Sequence, residues 1–126
     1  MQPPLAVTSE QFGDTAIISL TGELDTTRCA QVAEALSACL SGGCPHLIID
    51  ASGLTFCDSM GLRTLLEYVD RTAKAGGWMR LAGVHGVLKR LLEVTGVAFV
   101  VPIDPDVPTA LQARISEAGP TARQES

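Results

Sequence analysis

The run Cys57-Asp58-Ser59-Met60-Gly61-Leu62 holds the residues of this chain best suited to chemistry. A short polar side chain placed just before an apolar helical pattern accepts bonds from the unpaired first-turn amides, so Asp58 or Ser59 caps the helix that begins here. Gly61 allows close approach in the first turn, and Leu62 is the first core anchor. An exposed serine at a helix N-terminus also suits a phosphoryl group, because free amides and the positive dipole end stabilise the dianion. Phosphate on Ser59 would add nearly two negative charges beside Asp58, Asp25 and Glu23. A face that a partner must desolvate tolerates such charge poorly. From these residues alone, the plain helix cap and the phosphoryl acceptor both stay open.

Other chemistries fit less well. A nucleophile elbow needs a glycine two residues before the serine, where this chain has Cys57. His46 opens a strand and His85 a helix, and no spacing rule brings either to Ser59 as a base. Cys29, Cys39, Cys44 and Cys57 show no C-x-x-C spacing and no paired histidines, so no metal site is expected and the thiols read as free. Cys29 and Cys39 fall on an apolar helical pattern and are expected as small core residues. Gly83-Val84-His85-Gly86 reads as turn chemistry, and with no Walker loop or Gly-x-Gly-x-x-Gly the sequence implies no cofactor.

The elements that must position these residues follow from periodicity. Leu5–Val7 and Thr15–Leu20, separated by a polar stretch containing Gly13, predict an antiparallel hairpin. Cys29, Val32, Ala33, Leu36 and Leu40 trace one helical face, with Asp25, Thr26 or Thr27 at its start and Gly42-Gly43 at its end. Leu47-Ile48-Ile49 is a strand buried on both sides, and residues 51–57 read as a loop into a second helix carrying Leu62, Leu65, Leu66 and Val69. The outer face of that helix offers the opposite-charge pairs Arg63–Glu67, Glu67–Arg71 and Asp70–Lys74. A strand over Trp78–Ala82, a helix over Val84–Thr95, a strand over Ala98–Val101 and a helix from about Asp106 to Glu117 complete the pattern. The fold class is α/β: a single domain over 1–117 with a mixed sheet of four to five strands and about four helices packed on it. Residues 118–126 read as a disordered tail. Right-handed crossovers bring the loops holding Glu23-Leu24-Asp25 and Cys57-Asp58-Ser59 to the same sheet end.

Composition narrows the partners. A length of 126 residues with 46% hydrophobic content is enough for one core. A net charge of -5 without any Lys/Arg-rich run argues against nucleic acid, and 4% aromatic content leaves few stacking platforms. The apolar runs are too short for a bilayer and the N-terminus does not read as a signal peptide, so a cytoplasmic protein without membrane contact is expected. The strand Leu5–Val7 is a candidate exposed edge, which fits a monomer or a weak homodimer.

Several segments in order resemble the STAS domain, and within it the bacterial anti-sigma factor antagonists. They are Leu20-Thr21-Gly22-Glu23-Leu24-Asp25, Leu47-Ile48-Ile49-Asp50, Phe56 to Leu62, Gly76-Gly77 and Leu91-Leu92-Glu93-Val94-Thr95-Gly96, spread over about residues 5–115. The resemblance implies a non-enzymatic regulator that binds an anti-sigma factor which is also a serine kinase, freeing a sigma factor for transcription. Phosphorylation by that kinase ends the binding and a serine phosphatase restores it. The phosphorylated residue would be Ser59, and Asp25 falls where the family places a kinase-contacting carboxylate. The expected partner-binding residues are Glu23, Asp25, Thr26, Cys57, Asp58, Ser59, Met60 and Arg63. Two departures stand out: Met60 where a small residue is common, and Arg63 where glycine is frequent. Arg63 is expected to pair with Glu67 rather than with a phosphate. The alternative within the family is a scaffold or transport-system subunit that is never phosphorylated.

Overall fold

The structure, a computed structural model, describes residues 4–96 and 100–112. Its elements in chain order are β1 (Leu5–Phe12), β2 (Thr15–Leu24), a 3-10 turn (Thr26–Arg28), α1 (Cys29–Ser41), β3 (His46–Cys57), α2 (Ser59–Lys74), β4 (Trp78–Ala82), α3 (Gly86–Thr95) and β5 (Ile103–Asp104). A further helical stretch covers residues 107–112. The five strands form one mixed sheet in the order β1-β2-β3-β4-β5. β1 runs antiparallel to β2, and β2 to β5 are mutually parallel. This is the mixed α/β architecture the sequence predicts.

Period-two alternation divides the apolar residues between the two faces of the sheet. Ile18, Leu20, Leu47, Ile49 and Leu81 join Val32 and Leu36 of α1, Leu62 and Leu65 of α2, and Leu88 and Leu92 of α3 in the main core. Ile17, Ile48 and Ala82 point the other way and pack with Val107, Ala110 and Leu111 in a smaller cluster. Tyr68 ties α2 to α1: its hydroxyl donates to the Ala33 carbonyl at 3.0 Å and also meets Ser37 Oγ.

Three expectations are corrected. Residues 51–57 are the second half of β3, since the strand stays paired with β2 as far as Leu24↔Cys57. That ladder shifts register between Ser19/Thr21 and again between Gly22/Glu23, which absorbs the Ala51-Ser52-Gly53 stretch that looks like a loop. The last strand lies at Ile103–Asp104 rather than 98–101: residues 100–101 form a turn, and 98–99 lie outside the described residues. Here Leu81↔Ile103 pairing and a double contact from the Arg80 guanidinium to Asp104, at 2.8 and 3.2 Å, decide the position. Finally, Cys29 and Cys39 are only half-buried, whereas Cys44 and Cys57 are the buried thiols. The end of the expected final helix, beyond 112, and the tail over 118–126 lie outside the described residues.

Candidate functional site

Two loops leave adjacent parallel strands at the same sheet end: 25–28 after β2 and residue 58 after β3. Their start points are locked together, because Leu24 pairs with Cys57 in the ladder and the Asp58 amide donates to the Leu24 carbonyl at 3.2 Å. Asp58 is the hinge of the arrangement. Its backbone is extended, and its Oδ1 accepts from the Gly61 amide at 2.8 Å, so Asp58 caps α2 and Ser59 does not. Its Oδ2 accepts from the Thr26 amide at 3.0 Å and from Thr26 Oγ1 at 3.2 Å. One carboxylate therefore fixes both the start of α2 and the neighbouring loop.

Asp25 serves the first loop in the same way. It caps the 3-10 turn by accepting from the Thr27 amide at 3.1 Å and the Thr27 hydroxyl at 2.8 Å, and it forms an ion pair with Arg28. The Thr27 hydroxyl, then the Arg28 guanidinium, hold its carboxyl below the usual carboxylate range, outweighing partial desolvation. A nearby charge pair of this kind leaves Asp25 oriented rather than free to swing.

Gly61 lets α2 reach this end of the sheet. A Cβ at position 61 would lie 2.7 Å from Leu24 Cγ, 2.9 Å from the Leu24 carbonyl oxygen and 3.1 Å from Cys57 Sγ. Gly22, with φ 111°, does the same for β1, since its Cβ would lie 2.1 Å from the Pro4 carbonyl oxygen.

Ser59 is the first residue of α2 and is exposed, and among the described residues its hydroxyl makes no hydrogen bond. Met60, 43% exposed, and Phe56, 41% exposed, add apolar surface beside it. Glu23 and Thr26 are exposed on the adjoining segment. Seven of the eight expected residues thus lie at this sheet end with surface to offer, and Cys57 does not. Its side chain is wholly buried in the core, and burial, with the Asp58 carboxylate beside it, pushes the thiol up to about 12. It cannot touch a partner and serves instead as packing under the site. Arg63 is exposed one turn along α2 from Ser59, and among the described residues it makes no ion pair with Glu67; on that helix only Asp70–Lys74 closes, at 2.9 Å.

Sequence reasoning misses Phe56, because residues 51–57 carry no strand pattern of their own, and Arg28, although its place three residues after Asp25 is a signal for the ion pair. Among the described residues no group of three or more His, Cys, Asp or Glu side chains could hold a metal ion. No helix among them is long and apolar enough to cross a membrane.

Comparison with known proteins identifies the fold family. A family model described as the STAS domain matches residues 6–110. The chain is 28% identical over 100 residues to the anti-sigma F factor antagonist of Paenibacillus polymyxa, covering 79% of this chain and 86% of that protein. Among solved structures, an anti-sigma factor antagonist from Mycobacterium paratuberculosis superposes with a TM-score of 0.79 at 25% identity, over 86% of this chain and 92% of the other. The Bacillus cell fate determinant SpoIIAA in its phosphorylated form shares the fold, with a TM-score of 0.70 at 22% identity over 86% of this chain and 98% of the other.

Proposed function

The chain belongs to the STAS domain family, and from that membership we propose that it is an anti-sigma factor antagonist switched off by phosphorylation of Ser59. In the unphosphorylated state the face made by Glu23, Asp25, Thr26, Asp58, Ser59, Met60, Arg63 and the apolar surface of Phe56 binds an anti-sigma factor that is also a serine kinase. The observation that carries this is the division of labour at the start of α2. Asp58 supplies the cap, so the exposed Ser59 hydroxyl is spared from it and open to an incoming phosphoryl donor. The relatives named above as anti-sigma factor antagonists give the partner class.

The chain acts as substrate, not as catalyst. Ser59 Oγ attacks the γ-phosphorus of ATP held by the kinase, ADP leaves, and the hydroxyl proton passes to a base on the kinase. The product is a dianion at a helix N-terminus, which the first-turn amides and dipole accept, so α2 survives. What fails is the interface. The new charge stands beside Asp58, within a face that already carries Asp25 and Glu23, and a partner matched to the neutral hydroxyl loses several kcal/mol against like charge. A serine phosphatase, hydrolysing the phosphoester, restores binding. The working compartment in this reading is the cytoplasm.

The test is transfer from γ-labelled ATP by the cognate kinase to wild type and to Ser59→Ala. Label in wild type alone supports the assignment, and equal label in both overturns it. Intact-mass measurement of the protein from its native cells across growth and stress conditions separates this from the unphosphorylated scaffold. A form heavier by one phosphate supports the switch, and its absence under every condition favours the scaffold.

A further inference from the structure

At the sheet end opposite Ser59, α1 closes with a helix stop of defined geometry. The Gly42 amide donates to the Ala38 carbonyl at 2.9 Å, Gly43 to Leu40 at 3.2 Å, and Cys44 to Cys39 at 3.0 Å. Gly43 has a φ of 92°. The 6→1 and 5→2 bonds around a left-handed glycine define the Schellman motif, in which the side chains three positions before the cap and just after the glycine come into contact. Those two positions normally hold hydrophobes, and here they are Cys39 and Cys44.

We propose that Cys39 and Cys44 form a dithiol modification site that a peroxide closes into an intramolecular disulfide. Both residues line an open cleft of about 350 Å³ between β1 and α1, together with Ser9, Gln11 and Ala35, which admits a molecule the size of hydrogen peroxide. Cys39 is half-buried and the more accessible of the two, while Cys44 is 2% exposed. A disulfide needs Cα atoms roughly 4.4–6.8 Å apart, and the 3.0 Å bond from the Cys44 amide to the Cys39 carbonyl makes the two backbones immediate neighbours. Burial raises both thiols, and the neighbouring Cys44 sulfur raises Cys39 further, as the Asp14 carboxylate does Cys44. The reaction is therefore slow compared with that of an activated cysteine.

The steps balance without a metal. The Cys39 thiolate attacks one peroxide oxygen, the S–O bond forms, the O–O bond breaks, and the departing hydroxide takes up the thiol proton as water. The Cys44 sulfur then attacks the Cys39 sulfur, the S–S bond forms, the S–O bond breaks, and the departing hydroxide takes up the Cys44 thiol proton and leaves as a second water. Two thiols are oxidised and one peroxide is reduced.

The test is hydrogen peroxide on the full chain, read by intact mass. A species lighter by two hydrogens and reversed by dithiothreitol is expected in wild type and in the Cys29→Ser, Cys57→Ser double variant. Neither Cys39→Ser nor Cys44→Ser should yield it. Should the double variant not fold because Cys57 is buried, fragmentation of the cross-linked wild-type peptide assigns the bridge. A bridge between Cys29 and Cys57, a disulfide between two copies, stable addition of oxygen to Cys39 without a bridge, or no change in mass would each overturn the proposal.

Discussion

Replacing Asp58 by alanine should cost this domain about 2 kcal/mol, and the structure says where the loss arises. The cap bond from Gly61 to Oδ1 is 2.8 Å long, and removing an N-cap aspartate costs about 1 kcal/mol. The two Thr26 bonds to Oδ2, at 3.0 and 3.2 Å, are exposed, so together they add only about 1 kcal/mol more. For a chain of this size the sum lowers Tm by roughly 8 °C. Asp58→Asn divides the two parts. Its single carbonyl oxygen can keep the cap, but its amide nitrogen then faces the Thr26 amide, donor against donor, so the expected loss is about 1 kcal/mol. Thr26→Val removes only the hydroxyl bond and should cost about half as much as Asn. Urea denaturation followed by circular dichroism measures all three, with an unchanged m-value as the check that unfolding stays two-state. If Asp58→Ala falls within about 0.5 kcal/mol of wild type, the measurement floor, the carboxylate does not clamp the two loops.

Gly61→Ala gains about 1 kcal/mol of helix preference yet forces a methyl against the Leu24 carbonyl oxygen at 2.9 Å, so a net destabilisation of about 1 kcal/mol is expected. Stability at or above wild type in the same urea titration would contradict the close packing. Asp25, held below the usual carboxylate range by Thr27 and Arg28, contributes stability that is present above the unfolded carboxylate pKa and is lost as pH falls through the lower folded value. Acid titration of Tm should accordingly fall more steeply below about pH 4 for wild type than for Asp25→Asn. Arg63, one turn along α2 and without an ion pair to Glu67, should attract a phosphate on Ser59. In protein carrying phosphoserine at position 59 by genetic encoding, Arg63→Gln should raise the second phosphate pKa seen by phosphorus NMR. An identical value in both proteins would show that Arg63 does not pair with the phosphate.

Most of the helical frame was legible because each helix repeats its apolar residues on one face and ends at glycine: Gly42-Gly43, Gly76-Gly77 and Gly96. The second half of β3 was not, because Ala51, Ser52 and Gly53 carry no strand signal of their own. They are held by a partner strand distant in sequence, through pairs such as Thr21↔Gly53 in a ladder whose breaks no local pattern announces. The two-residue β5 was displaced for the same reason, as Arg80 and Asp104 choose its position across the fold. At the site, residue types and topology brought Asp25 and Asp58 to one end. What spacing could not reveal is that Asp58 rather than Ser59 would cap α2, or that Cys57 would turn inward beneath them.

The two register shifts between β2 and β3 have a consequence for how the gene can change. Ser19 pairs with Asp50, but by the end of the ladder Leu24 pairs with Cys57, so β3 gains two residues on β2 along the way. Without that gain Leu24 would face Thr55, and Asp58 would overshoot the loop that holds Thr26. Deleting one codon within 51–55 would turn Cys57 outward and swing Asp58 away from Thr26, since each single step along a strand reverses its faces. Exposed positions such as Ser52 and Thr55 can vary in identity at the cost of one surface hydrogen bond each, to Asp50 Oδ1 and to the Gly22 carbonyl. The length of this segment cannot, so in-frame insertions and deletions here would take the Asp58–Thr26 clamp apart even when every residue of that sheet end is spelled correctly.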